Sequence, residues 1–188
     1  MGVVLAVKKK GVICIAADSM TISGGSRKQT ADQVVGSEKI IKWGESYVGT
    51  ADHAAWPLVL GSYFTKKPAL LTSKELIFEE LLKMHQVLKE KYYLAPYGDD
   101  NDPFESSQFE SLIINPSGIF KTYELRSVQQ FIQFAAVGSG AAYALGAMEV
   151  LYDKLDSAEE VARAALGAVV AFDDSSALPA TLYCVQSE

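Results

Sequence analysis

The sequence predicts an α+β domain built as a four-layer sandwich, in which two antiparallel sheets lie between two pairs of helices. The first observation is the order of the elements, which is strands, two helices, strands, two helices and a final strand. Strands that are segregated from helix pairs are typical of α+β folds and not of alternating βαβ units. The second observation is that the 188 residues contain no repeat, linker or low-complexity segment. We therefore expect a single domain over residues 1–188.

The predicted strands are short runs of β-branched and aromatic residues that are bounded by turn residues. They cover residues 2–7, 12–17, 39–43, 46–51, 109–114, 119–125, 131–137 and 180–185. The polar stretch 18–37 has no sustained periodicity, so it is predicted to be a long loop. Long loops in compact domains are usually functional.

The predicted helices are marked by their capping residues. Asp52 is a plausible N-cap for the first helix, and Thr72 with Glu75 forms a capping-box pattern for the second. Ser157 with Glu160 forms the same pattern before the last helix. The helices are predicted over residues 52–65, 72–93, 141–155 and 157–172.

Composition excludes several classes of protein. Hydrophobic residues make up 49% of the chain, which excludes intrinsic disorder. The formal charge is −6 and the longest basic run is Lys8-Lys9-Lys10, so we expect no nucleic-acid partner. No apolar stretch reaches the roughly 18–20 residues that a membrane span needs, and the first residues lack the pattern of a signal peptide. We therefore expect a cytoplasmic protein with no membrane partner.

The cysteines and histidines give little sign of a metal or of a disulfide framework. Cys14 and Cys184 both lie in apolar strand-like segments, so they are predicted to be buried free thiols in a reducing compartment. His53 and His85 are far apart, which argues against a zinc site. The acidic loop 96–103 lacks the alternating ligands of an EF-hand and is predicted to be a solvated turn. We expect no metal and no cofactor.

Four polar residues are candidates for chemistry, although each has an ordinary explanation when it is taken alone. Asp18 ends an apolar strand as a turn former does, and Lys39 begins a strand as many solvated lysines do. Ser139 could cap the following helix, and Asp173 could belong to a helix-to-strand loop. Their order and spacing along the chain make them more informative as a set.

Four short segments in this order resemble the proteasome β-subunit family. They are Ala-Ala-Asp-Ser at 16–19, Glu-Lys-Ile at 38–40, Gly-Thr-Ala-Asp at 49–52 and Val-Gly-Ser-Gly at 137–140. The likeness is strongest to the peptidase subunit of the bacterial heat-shock ATP-dependent protease and to compact proteobacterial homologues. It spans residues 2–185, although residues 68–126 match only in the order of elements. A bacterial origin is therefore expected.

The resemblance implies the N-terminal-nucleophile hydrolase fold, which agrees with the four-layer prediction. In that family a threonine hydroxyl attacks a peptide carbonyl while its own α-amino group serves as the base. Asp18 matches the aspartate that holds the active-site lysine, and Lys39 matches that lysine. Ser139 and Asp173 match the serine and the second aspartate that steady the amine.

The position of the nucleophile falls on Gly2, which has no hydroxyl. The chain as written is therefore expected to be inactive as a threonine-type endopeptidase, and a retained Met1 would also block the amine of residue 2. Gly2 is consistent with a natural pseudo-peptidase and with an engineered knockout. A third explanation is that the nucleophile position is shifted by one residue, although the neighbouring Met1 and Val3 also lack a hydroxyl.

The resemblance also assigns residues that would contact a substrate. Val48 takes the place of the oxyanion-hole glycine, and its side chain is expected to crowd a substrate lying across that strand. Met20, Thr21 and Ile22 are expected to shape the specificity pocket and to bind the peptide main chain as an added strand.

Family membership implies a homo-oligomer in stacked rings that takes peptides or unfolded proteins. Whether the ring is six- or seven-fold is left open, and so is the identity of a ring ATPase unfoldase as a further partner. A different interpretation is a ring-forming protein that binds peptides or partners without cutting them. A hydrolase of non-peptide amides shares the fold but has no sequence support.

Overall fold

The computed structural model describes residues 2–23, 27–65, 69–98 and 101–188. Met1, residues 24–26 of the polar stretch and Asp99-Asp100 of the acidic loop lie outside the described residues.

The described strands and helices are as follows in chain order. The strands are β1 (Val3–Lys9), β2 (Val12–Ala17), β3 (Thr21–Ser23), β4 (Arg27–Gln29), β5 (Ile40–Trp43), β6 (Ser46–Gly49), β7 (Ser111–Asn115), β8 (Gly118–Thr122), β9 (Val128–Phe131), β10 (Phe134–Gly138) and β11 (Thr181–Gln186). The helices are α1 (Trp56–Phe64), α2 (Lys74–Lys91), α3 (Ala141–Leu151) and α4 (Ala158–Phe172).

Two antiparallel sheets form the centre of the domain. The first has the strand order β10-β1-β2-β11, and the second has the order β5-β6-β7-β8-β9. A small separate hairpin pairs β3 with β4. The first sheet thus joins the beginning of the chain to its end, because β2 pairs with β1 on one side and with β11 on the other.

Strand β1 shows how the layers are held together. Successive side chains of a strand point to opposite faces. Val3, Leu5 and Val7 belong to an outer apolar cluster with α3 and α4, whereas Val4 and Ala6 pack between the two sheets. Burial on both faces explains why this segment is a continuous apolar run without alternation. A third cluster packs α1 and α2 against the second sheet, so the α+β four-layer prediction is confirmed.

Two predictions about the helix starts differ from the structure. The first helix begins at Trp56 with Ala55 as its N-cap, because the Asp52 carboxylate instead accepts a hydrogen bond from the Glu110 amide at 2.7 Å. The second helix is capped by Ser73, whose hydroxyl accepts from the amide of Leu76 at 3.3 Å, and not by Thr72.

The start of α4 agrees with the sequence prediction, whereas the start of α3 and three short strands do not. The capping box of Ser157 and Glu160 is present and starts α4 as predicted. The N-cap of α3 is Gly140, so Ser139 is free for a different role. The stretch 18–37, predicted to be a loop, carries the short strands β3 and β4. Strand β9 was also missed, since its exposed centre has no apolar alternation.

The prediction of two free thiols is wrong. Cys14 and Cys184 form a disulfide, and they lie directly opposite each other in the register of β2 and β11. Cys14 is fully buried, as expected, but Cys184 is exposed because β11 is an edge strand. The sequence could not indicate this pair, because nothing in it says that the last strand lies beside the second.

The described part of the chain has neither a membrane-spanning helix nor a cluster of metal-binding side chains. None of the helices there is long and apolar enough to cross a membrane. The same residues contain no group of three or more His, Cys, Asp or Glu side chains that could hold a metal ion.

Candidate functional site

The register of the first sheet brings distant residues to the start of β1. Val4 pairs with Ala17, so Asp18 follows β2 directly beside Val3. Val3 also pairs with Gly138, so Ser139 follows β10 on the other side of Gly2. Two polar side chains separated by more than a hundred residues therefore meet at the amino end of one central strand.

Asp18 lies at the centre of this group and is almost fully buried. Its Oδ1 accepts hydrogen bonds from the amide of Val3 at 2.8 Å and from the ammonium of Lys39 at 2.5 Å. Its Oδ2 accepts from the amides of Met20 at 2.9 Å and Ala177 at 3.2 Å. A buried carboxylate needs such partners to remain charged, and here both oxygens have two each.

Lys39 brings a buried positive charge to the same place. Its side chain is 9% exposed and that of Asp18 is 0% exposed, so the ion pair is largely removed from water. Burial lowers the pKa of Lys39 from its ordinary value, while the charges of Asp18 and Asp173 oppose that shift. The ammonium is therefore held in place by Asp18 at some cost in desolvation.

Ser139 connects the backbone of Gly2 to Asp173. Its Oγ accepts a hydrogen bond from the amide of Gly2 at 3.2 Å. The single hydroxyl proton can be donated either to Asp173 Oδ2 at 3.1 Å or to the carbonyl of Gly2 at 3.3 Å. Asp173, the residue after α4, also accepts from the hydroxyl of Ser176 at 2.6 Å. This arrangement orients the nitrogen of residue 2.

The missing side chain of Gly2 would point at the ion pair. A Cβ built on Gly2 would overlap Lys39 Nζ and Asp18 Oδ1. Gly2 also has φ +124°, a conformation that L-residues rarely adopt. Position 138 needs glycine for a related reason, since a Cβ there would overlap the carbonyl oxygen of Gly2 and lie 2.6 Å from the Cβ of Ala51.

A cleft of about 700 Å³ opens beside Lys39. Met20, Thr21 and Ile22, the residues expected to contact substrate, line it together with Lys39. Its lining also includes Thr50, His53, Pro57 and Gln108. The cleft therefore reaches the group around Gly2 through Lys39, and its lining is both apolar and polar.

Val48 lies away from this cleft, which corrects the expectation of crowding. Its side chain is 3% exposed and packs in the outer cluster with Trp43 and Leu60, under α1. Its backbone pairs with Ile41 on one side and Ile113 on the other, so its amide lies within the ladder of the sheet. The side chain therefore does not line the cleft and would not crowd a substrate there, while the role of the amide in stabilising an oxyanion stays a prediction.

Sequence reasoning missed Ser176 and Ala177. Ser176 is 4% exposed and bonds Asp173, and its place in Asp-Asp-Ser-Ser at 173–176 was the available signal. Ala177 acts through its backbone, since its amide donates to Asp18 and its carbonyl accepts from the amide of Ser19 at 3.1 Å. A residue that acts through its backbone leaves no mark in the sequence.

Chemically, the group supplies three parts of a nucleophilic site and lacks the fourth. It holds the ammonium of Lys39 beside Gly2, orients the nitrogen of Gly2 and borders a cleft that could receive an extended chain. Gly2 has no hydroxyl to attack a carbonyl.

The whole chain is similar to solved structures of a bacterial proteasome homologue. Thiobacillus denitrificans BPH is 43% identical, with 99% of this chain and 98% of that chain covered and a TM-score of 0.91. Thiobacillus denitrificans BPH in complex with epoxomicin is 41% identical, with 99% of both chains covered and a TM-score of 0.91. Eukaryotic HslV from Trypanosoma brucei is 15% identical at a TM-score of 0.68, covering 98% of this chain and 99% of that chain, and shows the fold alone. No family model and no curated protein sequence matches the chain.

Proposed function

The chain belongs to the proteasome β-subunit family, and from this premise we propose that it is a subunit of a self-compartmentalising threonine-type peptidase ring whose nucleophile position holds Gly2. As written, the chain is catalytically silent. The observation that supports this proposal most directly is that the side-chain direction of Gly2 leads onto the pair of Lys39 and Asp18. An active relative would carry its hydroxyl in that direction.

The proposed roles follow from the contacts. With a threonine at position 2, the ammonium of Lys39 would favour loss of the hydroxyl proton, because a nearby positive charge stabilises the developing anion. Asp18 would hold Lys39 in place through the 2.5 Å contact. Ser139 and Asp173 would orient the α-amine of residue 2, which acts as the base.

The proposed substrate is a peptide or an unfolded protein. We propose that it lies in the cleft as an added strand along residues 20–22, where main-chain hydrogen bonds give affinity and side-chain pockets give specificity. Thiobacillus denitrificans BPH was solved in complex with epoxomicin, so epoxomicin is a suitable compound for testing ligand binding by this chain.

Assembly and location are also part of the proposal. Membership in the family supports homo-oligomeric stacked rings, six- or seven-fold, in a bacterial cytoplasm, with a ring ATPase unfoldase as a further partner. Analytical ultracentrifugation of the purified chain would measure the ring size, and a sedimenting monomer at micromolar concentration would contradict the assembly.

The decisive experiment restores the missing hydroxyl. Gly2→Thr would be prepared in a chain that begins at residue 2, so that the amine is free and no preceding carbonyl constrains φ. We expect hydrolysis of a fluorogenic peptide at least about 100-fold above the unchanged chain, since losing a nucleophile costs up to about 10⁶ in serine hydrolases. In the present conformation a Cβ would overlap both Lys39 Nζ and Asp18 Oδ1, so the free terminus is needed for residue 2 to turn its side chain into a position beside the pair.

Two matched controls identify the chemistry. Gly2→Val has the shape of threonine without the hydroxyl and should remain inactive. Lys39→Met added to Gly2→Thr should abolish the gained activity while leaving the fold intact by circular dichroism. Hydrolysis by Gly2→Val equal to that of Gly2→Thr would contradict the proposed role of position 2.

The second candidate function is a ring-forming protein that binds peptides or partners without cutting them. It is favoured by the direct contact of Lys39 Nζ with Asp18 Oδ1 at 2.5 Å, which fills the space that a side chain at position 2 would need. An inactive Gly2→Thr chain that still forms rings and still binds epoxomicin, as measured by a thermal shift, would select this function.

A further inference from the structure

We propose that the disulfide between Cys14 and Cys184 is a redox-active site that low-molecular-weight thiols such as glutathione can open, and that opening it loosens the loop that completes the Asp18 site. The two sulfurs join β2 to β11 and are separated by 170 residues along the chain. The proposal concerns the stability of this edge and does not depend on peptidase activity.

Strand β11 is weakly attached compared with its neighbours. It forms the edge of the first sheet, so it has a ladder on one side only, to β2. Its residues are half-buried or exposed, whereas all but the last two residues of β1 in the same sheet are fully buried. Beyond the ladder it is held by the disulfide, by the stacking of Tyr183 on Tyr47 at 4.6 Å, and by the packing of Leu182 and Val185 on the two faces of the sheet.

The loop that leads into β11 supplies contacts to the candidate site. Asp173 begins this loop and bonds Ser139, while the amide of Ala177 donates to Asp18 at 3.2 Å. Thr181, four residues after Ala177, begins β11 opposite Ala17. The loop is therefore fixed at one end by α4 and at the other by a strand that the disulfide fastens.

Reduction is chemically feasible because one of the two bonded cysteines lies at the surface. Cys184 is exposed, whereas Cys14 is fully buried. An external thiolate can bond to the sulfur of Cys184 while the sulfur of Cys14 leaves as a thiolate and takes up a proton. A second external thiol then displaces Cys184 from the mixed disulfide. The protein disulfide is reduced to two thiols, and two external thiols are oxidised to one disulfide.

Reduction of the disulfide is expected to loosen the region around β11 under conditions in which the rest of the chain stays folded. A crosslink that closes a long loop restricts the unfolded chain, so its removal should lower the Tm by roughly 5–10 °C. Amide hydrogen exchange in residues 173–186 should be at least about tenfold faster after reduction, because local opening of an edge is no longer opposed. Exchange in β7 and β8, inside the second sheet, should not change.

The test compares the unchanged chain with and without glutathione or a phosphine reductant, by hydrogen exchange and by thermal unfolding. The control is Cys14→Ala with Cys184→Ser, which should already show the faster exchange and should not respond to reductant. A single Cys184→Ser variant separates the lost crosslink from any packing defect at the buried Cys14. The proposal is overturned if two thiols titrate in the chain after exposure to oxidised glutathione. It is equally overturned if reduction leaves exchange in residues 173–186 unchanged.

Discussion

Two clusters of charged side chains in this molecule have similar composition but different surroundings. One is the pair of Asp18 and Lys39, whose side chains are 0% and 9% exposed at the edge of the cleft. The other joins α2 to the segment before β7, where His85 Nε2 lies 3.2 Å and Lys89 Nζ 2.6 Å from Glu105. The Glu105 carboxyl is 52% exposed, and none of these residues lines the cleft.

The cluster around Glu105 can be explained as a set of contacts that stabilise the fold. The guanidinium of Arg126 donates to the carbonyl of Glu105 at 2.7 Å and to the hydroxyl of Ser107 at 3.0 Å. The Ser107 hydroxyl can then donate to His85 Nδ1 at 3.0 Å, which leaves a proton on Nε2 for Glu105. These contacts attach the segment that contains Glu105 and Ser107 to α2.

From this comparison we infer that the location of a buried ion pair beside a cleft, and not the kinds of residue that form the pair, indicates a functional site. Burying two charges rarely adds net stability, so a fold gains little from such a pair for its own sake. The pair of Asp18 and Lys39 carries that cost beside an accessible cleft, whereas the Glu105 cluster keeps its carboxylate in water.

The largest expected effect comes from breaking the buried pair on one side. Asp18→Asn removes the carboxylate that pairs with the buried ammonium of Lys39, and we expect it to lower the free energy of unfolding by about 3–5 kcal/mol. Lys39→Met leaves the Asp18 carboxylate with three backbone donors, from Val3, Met20 and Ala177, so its loss should be less than half as large. Urea unfolding at neutral pH measures both, and equal losses would show that the backbone donors do not support the carboxylate.

A smaller effect is expected from the second cluster. Arg126→Met removes two hydrogen bonds from a residue that is 6% exposed, and it should cost about 1–2 kcal/mol in the free energy of unfolding. Arg126 has φ +66°, and methionine would be no more strained there than arginine, so the backbone contribution cancels. The same urea measurement applies. A loss as large as that of Asp18→Asn would mean that exposure of Glu105 does not weaken its cluster.

The smallest effects are in the pH dependence. Burial lowers the pKa of Lys39, so the unfolded chain binds this proton more tightly and stability should rise with pH up to the ordinary value of 10.5. Burial also lowers the pKa of His85, so stability should fall as the pH drops below 6.5. Each of these two residues changes the free energy of unfolding by less than about 1.4 kcal/mol per pH unit. The urea midpoint of the unchanged chain is compared with that of Lys39→Met at alkaline pH and with that of His85→Asn at acid pH. If a variant shows the same pH dependence of its midpoint as the unchanged chain, the prediction for that residue is wrong.

Much of the fold was predictable because it depends on local patterns. The capping box at Ser157 and Glu160 and the apolar runs at β1 and β2 each identify an element by themselves. The edge strand β9 and the hairpin of β3 and β4 were missed, because their short sequences show no apolar period that could be detected.

The candidate site depended more on the resemblance than on local pattern. Asp18 and Lys39 end and precede strands, but no property of either residue says that they meet; that depends on the pairing of sheets far apart in sequence. Val48 was misplaced because its position in the ladder, not its sequence neighbours, decides which face it occupies. Cys184 required knowledge of the partner of the last strand.

The pairing of β2 with both β1 and β11 has a consequence for how the chain is made. During synthesis the hairpin of β1 and β2 is made before the other strands of the first sheet, and its apolar faces then have no helices or neighbouring strands to cover them. The first sheet cannot be completed until β11 has been translated, because contacts of long sequence separation form late. A nascent chain of this protein therefore exposes an unpaired apolar edge at β2 until β11 is made, and it should depend on a chaperone at the exit tunnel more than a chain whose strands pair in the order of their synthesis.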